Sequence, residues 1–305
     1  MKLWLARRIA QAYNARKSRS QPTQPSYVVP RILSAIVAIW LALLGTTSAQ
    51  DVDLEASPIW QKVREDLFAG MPIGTGDNVV MLETPKRAED AAVVPIAIRA
   101  QFPQAENRYI EKLWLIIDNN PSPIAAIFSF TPESGRADIE TRIRVEQYTH
   151  IRAIALTNDG KLHMVSNYIK ASGGCSAPSS KDSVAANATL GKMRLRVDDA
   201  LALGRPALAQ LMISHPNDSG LAMDQLTRMY APPHFVRSIE VRYGGKIVFS
   251  ADVDFSISEN PNFRFYFIPG GGDELDAKVI DNQDLEFTAS LKLNPARTGT
   301  ASIPR

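Results

Sequence analysis

Hydrophobic and polar positions change period once along this chain. Ile59, Trp60, Val63, Leu67 and Phe68 recur at helical spacing behind Ser57-Pro58, which predicts one short amphipathic helix over Ser57 to Phe68. Beyond it the period is two. Ala137, Ile139, Thr141, Ile143 and Val145 alternate with Asp138, Glu140, Arg142, Arg144 and Glu146, the signature of a strand with one buried and one wet face. Shorter β-rich runs lie at Val93 to Ile98, Leu113 to Ile117, Ala125 to Phe130, Ile151 to Leu156 and Leu162 to Ser166. Turn signals separate them, among them Asn119-Asn120-Pro121, Pro132-Glu133-Ser134-Gly135 and the hairpin signal Asn158-Asp159-Gly160. Residues 176–191 are rich in Ser, Ala, Asn and Lys without periodicity and read as a linker.

A second series of strands follows at Met193 to Val197, Ala207 to Ile213, Val236 to Tyr243, Ile247 to Val253, Phe263 to Ile268, Leu275 to Asp281 and Leu285 to Leu293. Tyr243-Gly244-Gly245-Lys246 reads as a tight hairpin turn and Pro269-Gly270-Gly271-Gly272-Asp273 as a looser one. The expected fold is all-β, with two immunoglobulin-like antiparallel β-sandwich domains and a short N-terminal helix on the first. The expected boundaries are a first sandwich over 50–175, a linker over 176–191, a second sandwich over 192–294 and a disordered tail over 295–305.

Residues 1–49 read as a signal peptide. Seven basic residues (Lys2, Arg7, Arg8, Arg16, Lys17, Arg19 and Arg31) occur there without an acidic one, Ile32 to Leu44 is mostly apolar, and Thr47-Ser48-Ala49 offers small residues for cleavage. The apolar stretch is 13 residues long, against about 20 for a bilayer-spanning helix, so no permanent membrane anchor is expected. Arg7-Arg8 is a faint twin-arginine feature. A periplasmic location follows as an expectation. Without this segment, 27 Lys plus Arg face 32 Asp plus Glu, so the net charge moves from +2 to −5. That balance removes the electrostatic reason to expect nucleic acid as a partner.

Enzyme chemistry finds little support. No phosphate-cradling glycine loop precedes a helix, no serine sits in a nucleophile elbow, and no His-Glu-x-x-His helix is present. His150, His163, His215 and His234 are scattered singly, and His215 and His234 read as hydrogen-bonding residues at strand ends or turns. No metal ligand set is assigned, and with one cysteine no Cys-based zinc cluster can form.

That cysteine, Cys175, lies in Ser172-Gly173-Gly174-Cys175-Ser176-Ala177-Pro178 at the junction of the two strand-rich halves. In an exported protein a lone cysteine is buried and inert, paired between molecules, or kept as a working thiol. The two glycines and the small residues after Cys175 favour a thiol carried on a flexible tether away from the surface. Such a tether holds a thiol poorly beside a catalytic base, and no device that lowers its pKa is apparent, so no catalytic residue is assigned.

Here the residues carry a family resemblance. Leu82-Glu83-Thr84-Pro85-Lys86-Arg87-Ala88-Glu89-Asp90-Ala91-Ala92-Val93-Val94-Pro95-Ile96 and Gly173-Gly174-Cys175 resemble SoxY; His215-Pro216-Asn217-Asp218-Ser219-Gly220 and Pro233-His234-Phe235-Val236 resemble SoxZ, with Tyr243-Gly244-Gly245-Lys246 and Ser258-Glu259-Asn260-Pro261 in the expected later order. The arrangement most resembles the fused SoxYZ-like carrier proteins associated with quinoprotein dehydrogenases. The resemblance implies a non-catalytic carrier in which Cys175 binds sulfur intermediates covalently, as a persulfide or S-thiosulfonate, on an arm whose flexible positions are Gly173, Gly174 and Ser176. It implies pairing of the two halves within the chain, periplasmic sulfur-oxidising enzymes or a quinoprotein dehydrogenase system as partners, and no cofactor beyond the sulfur adduct. A second reading makes the chain an accessory module for a quinoprotein dehydrogenase or its cytochrome, with Cys175 incidental. Cys175 is followed by Ser176-Ala177 where the family has two glycines, and the chain continues into a second half.

Overall fold

The structure, a computed structural model, describes residues 57–178, 188–197, 201–223 and 228–293. The expected signal peptide, most of the linker and the expected tail lie outside the described residues. The expected helix is α1, Pro58–Phe68. Ser57 caps it by accepting the Trp60 backbone N–H at 3.2 Å, and Ala69 ends it in the left-handed region at φ 43°. No described helix is long and apolar enough to cross a membrane.

Among the described residues, fifteen strands follow. Those of the first half are β1 (Ile73–Thr75), β2 (Val80–Glu83), β3 (Val94–Ala100), β4 (Ile110–Ile117), β5 (Ile124–Phe130), β6 (Ile139–Ile143), β7 (Thr149–Thr157) and β8 (Leu162–Ile169). The second half supplies β9 (Met193–Val197), β10 (Ala207–Ile213), β11 (Val236–Tyr243), β12 (Lys246–Val253), β13 (Asn262–Phe267), β14 (Glu274–Asp281) and β15 (Glu286–Lys292). They form two sheets, ordered β1-β8-β7-β4-β5-β12-β11-β14-β15 and β2-β3-β6-β13-β10-β9. All pairings between named strands are antiparallel except β1 with β8. The mostly β, two-sheet architecture with one short helix agrees with the immunoglobulin-like fold class expected from the sequence.

Both sheets run through both halves. In the larger sheet β5 pairs with β12 from Ala126↔Val253 to Phe130↔Phe249. In the smaller, β6 pairs with β13 at Ile139↔Phe265 and Glu140↔Arg264. The apolar interior is likewise shared, with the Phe128 and Phe263 rings edge to face at 6.3 Å across the join. The halves are thus hydrogen-bonded and packed into one another, a closer union than a flexible linker alone would produce.

α1 covers the outer face of the larger sheet over β4, β7 and β8. On β4, Leu113, Leu115 and Ile117 face the shared core while Ile116 and half-buried Trp114 meet α1, whose Trp60 and Phe68 are buried. β7 is covered in the same way, which is why it reads as a nearly continuous apolar run. Arg152 of β7 is the exception. Fully buried, it makes a two-pronged ion pair with Asp118 at 2.8 and 2.7 Å and lies 4.4 Å from the Trp60 ring centroid.

Candidate functional site around Cys175

The β6 strand runs on beyond Ile143 as an irregular segment, Arg144-Val145-Glu146, and the Gly173–Ser176 loop lies along it. Gly173 donates its N–H to the Glu146 carbonyl at 2.8 Å, and Gly174 to the Val145 carbonyl at 3.0 Å. Val145 in turn donates to the Ala91 carbonyl at 2.8 Å, so three chain segments lie side by side. This close approach explains Gly174. A Cβ built there would stand 2.0 Å from the Ala91 carbonyl oxygen and 2.7 Å from the Val145 nitrogen. Gly173 instead meets a conformational demand, at φ +83° with open space around it.

Cys175 itself is fully buried. The expectation of a thiol held away from the surface is therefore corrected: small residues allow tight packing as readily as they allow motion, and here they pack. Glu146 accounts for much of the hold. One carboxylate oxygen accepts the N–H groups of Cys175 and Ser176 at 2.8 and 3.1 Å, and the other accepts the Ser176 hydroxyl at 2.9 Å. Asn120 steadies the backbone that carries Glu146, accepting the Glu146 N–H at 2.9 Å while donating to the Arg144 carbonyl at 2.8 Å.

The second half closes the seat. Ser219 donates its hydroxyl to the Cys175 carbonyl. Arg144, buried, donates to the carbonyls of Gly174 at 3.2 Å and Asn217 at 3.4 Å, tying the loop to the second half. Burial pushes the Cys175 thiol up to about 12, the carboxylates of Glu146 and Asp254 add to the rise, and the Arg144 guanidinium opposes it. At neutral pH the seated group is a protonated thiol, poorly suited to nucleophilic attack or sulfur transfer. While seated, the sulfur is shielded from solvent.

Of the residues singled out in the sequence, Cys175, Gly173, Gly174 and Ser176 are brought together, with Ser176 exposed and hydrogen-bonded. Glu146, Arg144, Asn120 and Ser219 were not singled out. Glu146 carries no sequence signal beyond its place as the last polar position of the alternating run.

The histidines divide. His150 packs its ring against Tyr168, and His163 is near the Thr75 carbonyl. His215 and His234 meet, with ring centroids 4.6 Å apart, around buried Asp281. Nε2 of His234 lies 2.8 Å from Asp281 Oδ2 and Nε2 of His215 lies 3.5 Å from it. Nδ1 of His215 accepts the Asn217 N–H at 3.1 Å, so in the neutral ring the proton resides on Nε2. That nitrogen lies 3.5 Å from the Asp281 carboxylate without closing a hydrogen bond, and the trio braces the loop that carries Asn217 and Ser219. Gly270-Gly271-Gly272 is a turn between β13 and β14, held by the Tyr243 hydroxyl donating to the Gly272 carbonyl.

Comparison with known proteins gives two family matches. The family model described as "Sulfur oxidation protein SoxY" matches residues 64–175, and that described as "Sulphur oxidation protein SoxZ" matches residues 194–292. Among solved structures, the sulfur carrier protein SoxY from Chlorobium limicola f thiosulfatophilum is similar at 18% identity over 37% of this chain and 91% of its own, with a TM-score of 0.30. A superoxide reductase (neelaredoxin) from Ignicoccus hospitalis is similar at 16% identity over 32% of this chain and 93% of its own, with a TM-score of 0.29. No curated protein sequence matches the chain. The two family matches lie in tandem and the first ends on Cys175, so one polypeptide carries a segment that matches the SoxY family model followed by a segment that matches the SoxZ family model.

Proposed function

We propose that the protein carries sulfur-compound intermediates bound covalently to Cys175 and presents them to partner sulfur-oxidising enzymes in the periplasm. The observation that carries this reading is the SoxY match ending on the chain's sole cysteine, beside a SoxZ match in the same chain. Joining the Cys175 sulfur to a thiosulfate sulfur makes an S–S bond, releases the thiol proton and removes two electrons. A partner oxidoreductase accepts those electrons. The carrier's own residues hold the thiol, exclude water from it while seated and release it for docking; none acts as a catalyst in this scheme.

Intact mass of the protein isolated from sulfur-oxidising cells tests the proposal. Adducts of sulfur or thiosulfate mass, located at Cys175 and removed by mild reduction, are the expected result. Persistent absence of such adducts, together with a Cys175→Ser strain that oxidises thiosulfate as well as the wild type, would overturn it.

A further inference from the structure

The Glu146 carboxylate is used in a way that strand alternation does not explain. It points at the cysteine loop and takes three hydrogen bonds from two consecutive residues, Cys175 and Ser176. Ser219 takes hold of the same loop from the second half through the Cys175 carbonyl. Beneath them, Gly174 sits so close to Ala91 that any side chain at position 174 would collide with backbone. The loop is thus closed by the polar contacts of Glu146 and Ser219, with Arg144 holding the Gly174 carbonyl, over one steric fit.

We infer that Glu146 and Ser219 form a latch that stows Cys175 between the two halves, that Gly174 is needed for the stowed state, and that the thiol becomes reactive only when the latch opens. The inference rests on Cys175 being the cargo residue for its biological meaning, although the latch itself is a property of the folded protein. It assigns the glycine pair a role in closing the loop in addition to any role in moving it. It also makes partner docking that competes for Ser176 or Glu146 a sufficient trigger for exposure.

The reaction of the reduced, full-length protein with an aromatic disulfide reagent reads the latch directly. Each event joins the Cys175 sulfur to one half of the reagent and releases the other half as a coloured thiolate, so the rate reports access to the thiol. For a site that must open first, the native wild type should react at least about a hundredfold more slowly than the protein unfolded in guanidinium. Glu146→Ala removes all three acceptor contacts, and Gly174→Ala removes the fit. Each should raise the native rate about tenfold or more, as loss of hydrogen bonds to a carboxylate shifts the closed-to-open balance.

Glu146→Gln supplies the control that separates hydrogen bonding from charge. Its amide oxygen can accept the two backbone N–H groups and its amide nitrogen can donate to the rotated Ser176 hydroxyl, so the rate should stay within about twofold of the wild type. Each variant is compared with its own melting curve, and Glu146→Ala, at a half-buried position, keeps the test available where Gly174→Ala fails to fold. A native wild-type rate equal to the unfolded rate, or a Glu146→Ala rate unchanged from wild type, overturns the latch. Missing sulfur adducts with a slow native thiol would sink the carrier reading alone.

Discussion

At the scale of single residues, buried polar groups carry the sharpest consequences. His215 is held neutral: burial, with His234 beside it, lowers its pKa from 6.5 to about 4, while Asp281 opposes the shift. In the unfolded chain the same imidazole binds a proton below 6.5, so the unfolded state holds more protons across the window from 6.5 down to 4. Stability should therefore fall as pH is lowered through that window, by up to roughly 3 kcal/mol, and His215 should contribute no further loss below it. Asp281, pulled below its ordinary value mainly by the His234 and backbone N–H hydrogen bonds against the cost of burial, adds a loss only under more acid conditions. Denaturant midpoints at pH 7.5 and 4.5 check this, and His215→Gln should flatten the difference. Asp118 offers a second case. Removing it as Asp118→Ala takes both carboxylate hydrogen bonds from the fully buried Arg152 guanidinium and should cost about 3–5 kcal/mol, read as a lower melting temperature.

Elements were legible in the sequence to very different degrees. The bounds of β9, β10 and β11 agree with the runs read from periodicity, and α1 begins at its Ser-Pro signal. Those segments carry their own instructions in alternation and capping. β1 and β2 escaped notice because Ile73–Thr75 and Val80–Glu83 are too short to show a period, and β1 is defined by parallel pairing with a distant strand. Cys175 was legible as a special residue, yet its burial was not, since Gly174 looks the same in sequence whether it serves as a hinge or as a close contact. Glu146 was hidden for a related reason: a polar residue at the end of an alternating run reads as solvent-facing until the fold lays another loop on it. For α1 the expected outcomes are graded. Ser57→Ala should cost about 1 kcal/mol through the lost cap, and Trp60→Ala about 3–5 kcal/mol through the emptied site on Arg152 and Ile116, both measurable by urea unfolding.

For the whole molecule, the paired edges β5–β12 and β6–β13 make the two halves one cooperative structure. Neither periodicity nor turn signals could reveal this, because strand partners at such separations are chosen by register and packing across the shared core. A single unfolding transition is expected by both calorimetry and fluorescence, with Phe263→Ala lowering it as a unit; two transitions separated in temperature would count against a shared core. Proteolytic cleavage between residues 178 and 188 should leave the fragments associated on gel filtration, held by ladder hydrogen bonds and the Phe128–Phe263 contact.

The seat of Cys175 has two owners. Its floor, Ala91 and Val145, and its Glu146 fastener precede the cysteine in the chain, whereas Ser219 and Asn217 follow it. A growing chain therefore presents the thiol before the segment that helps close over it exists. Synthesis order thus creates an interval in which Cys175 can react with whatever meets it before Ser219 and Asn217 are in place to help close over the loop.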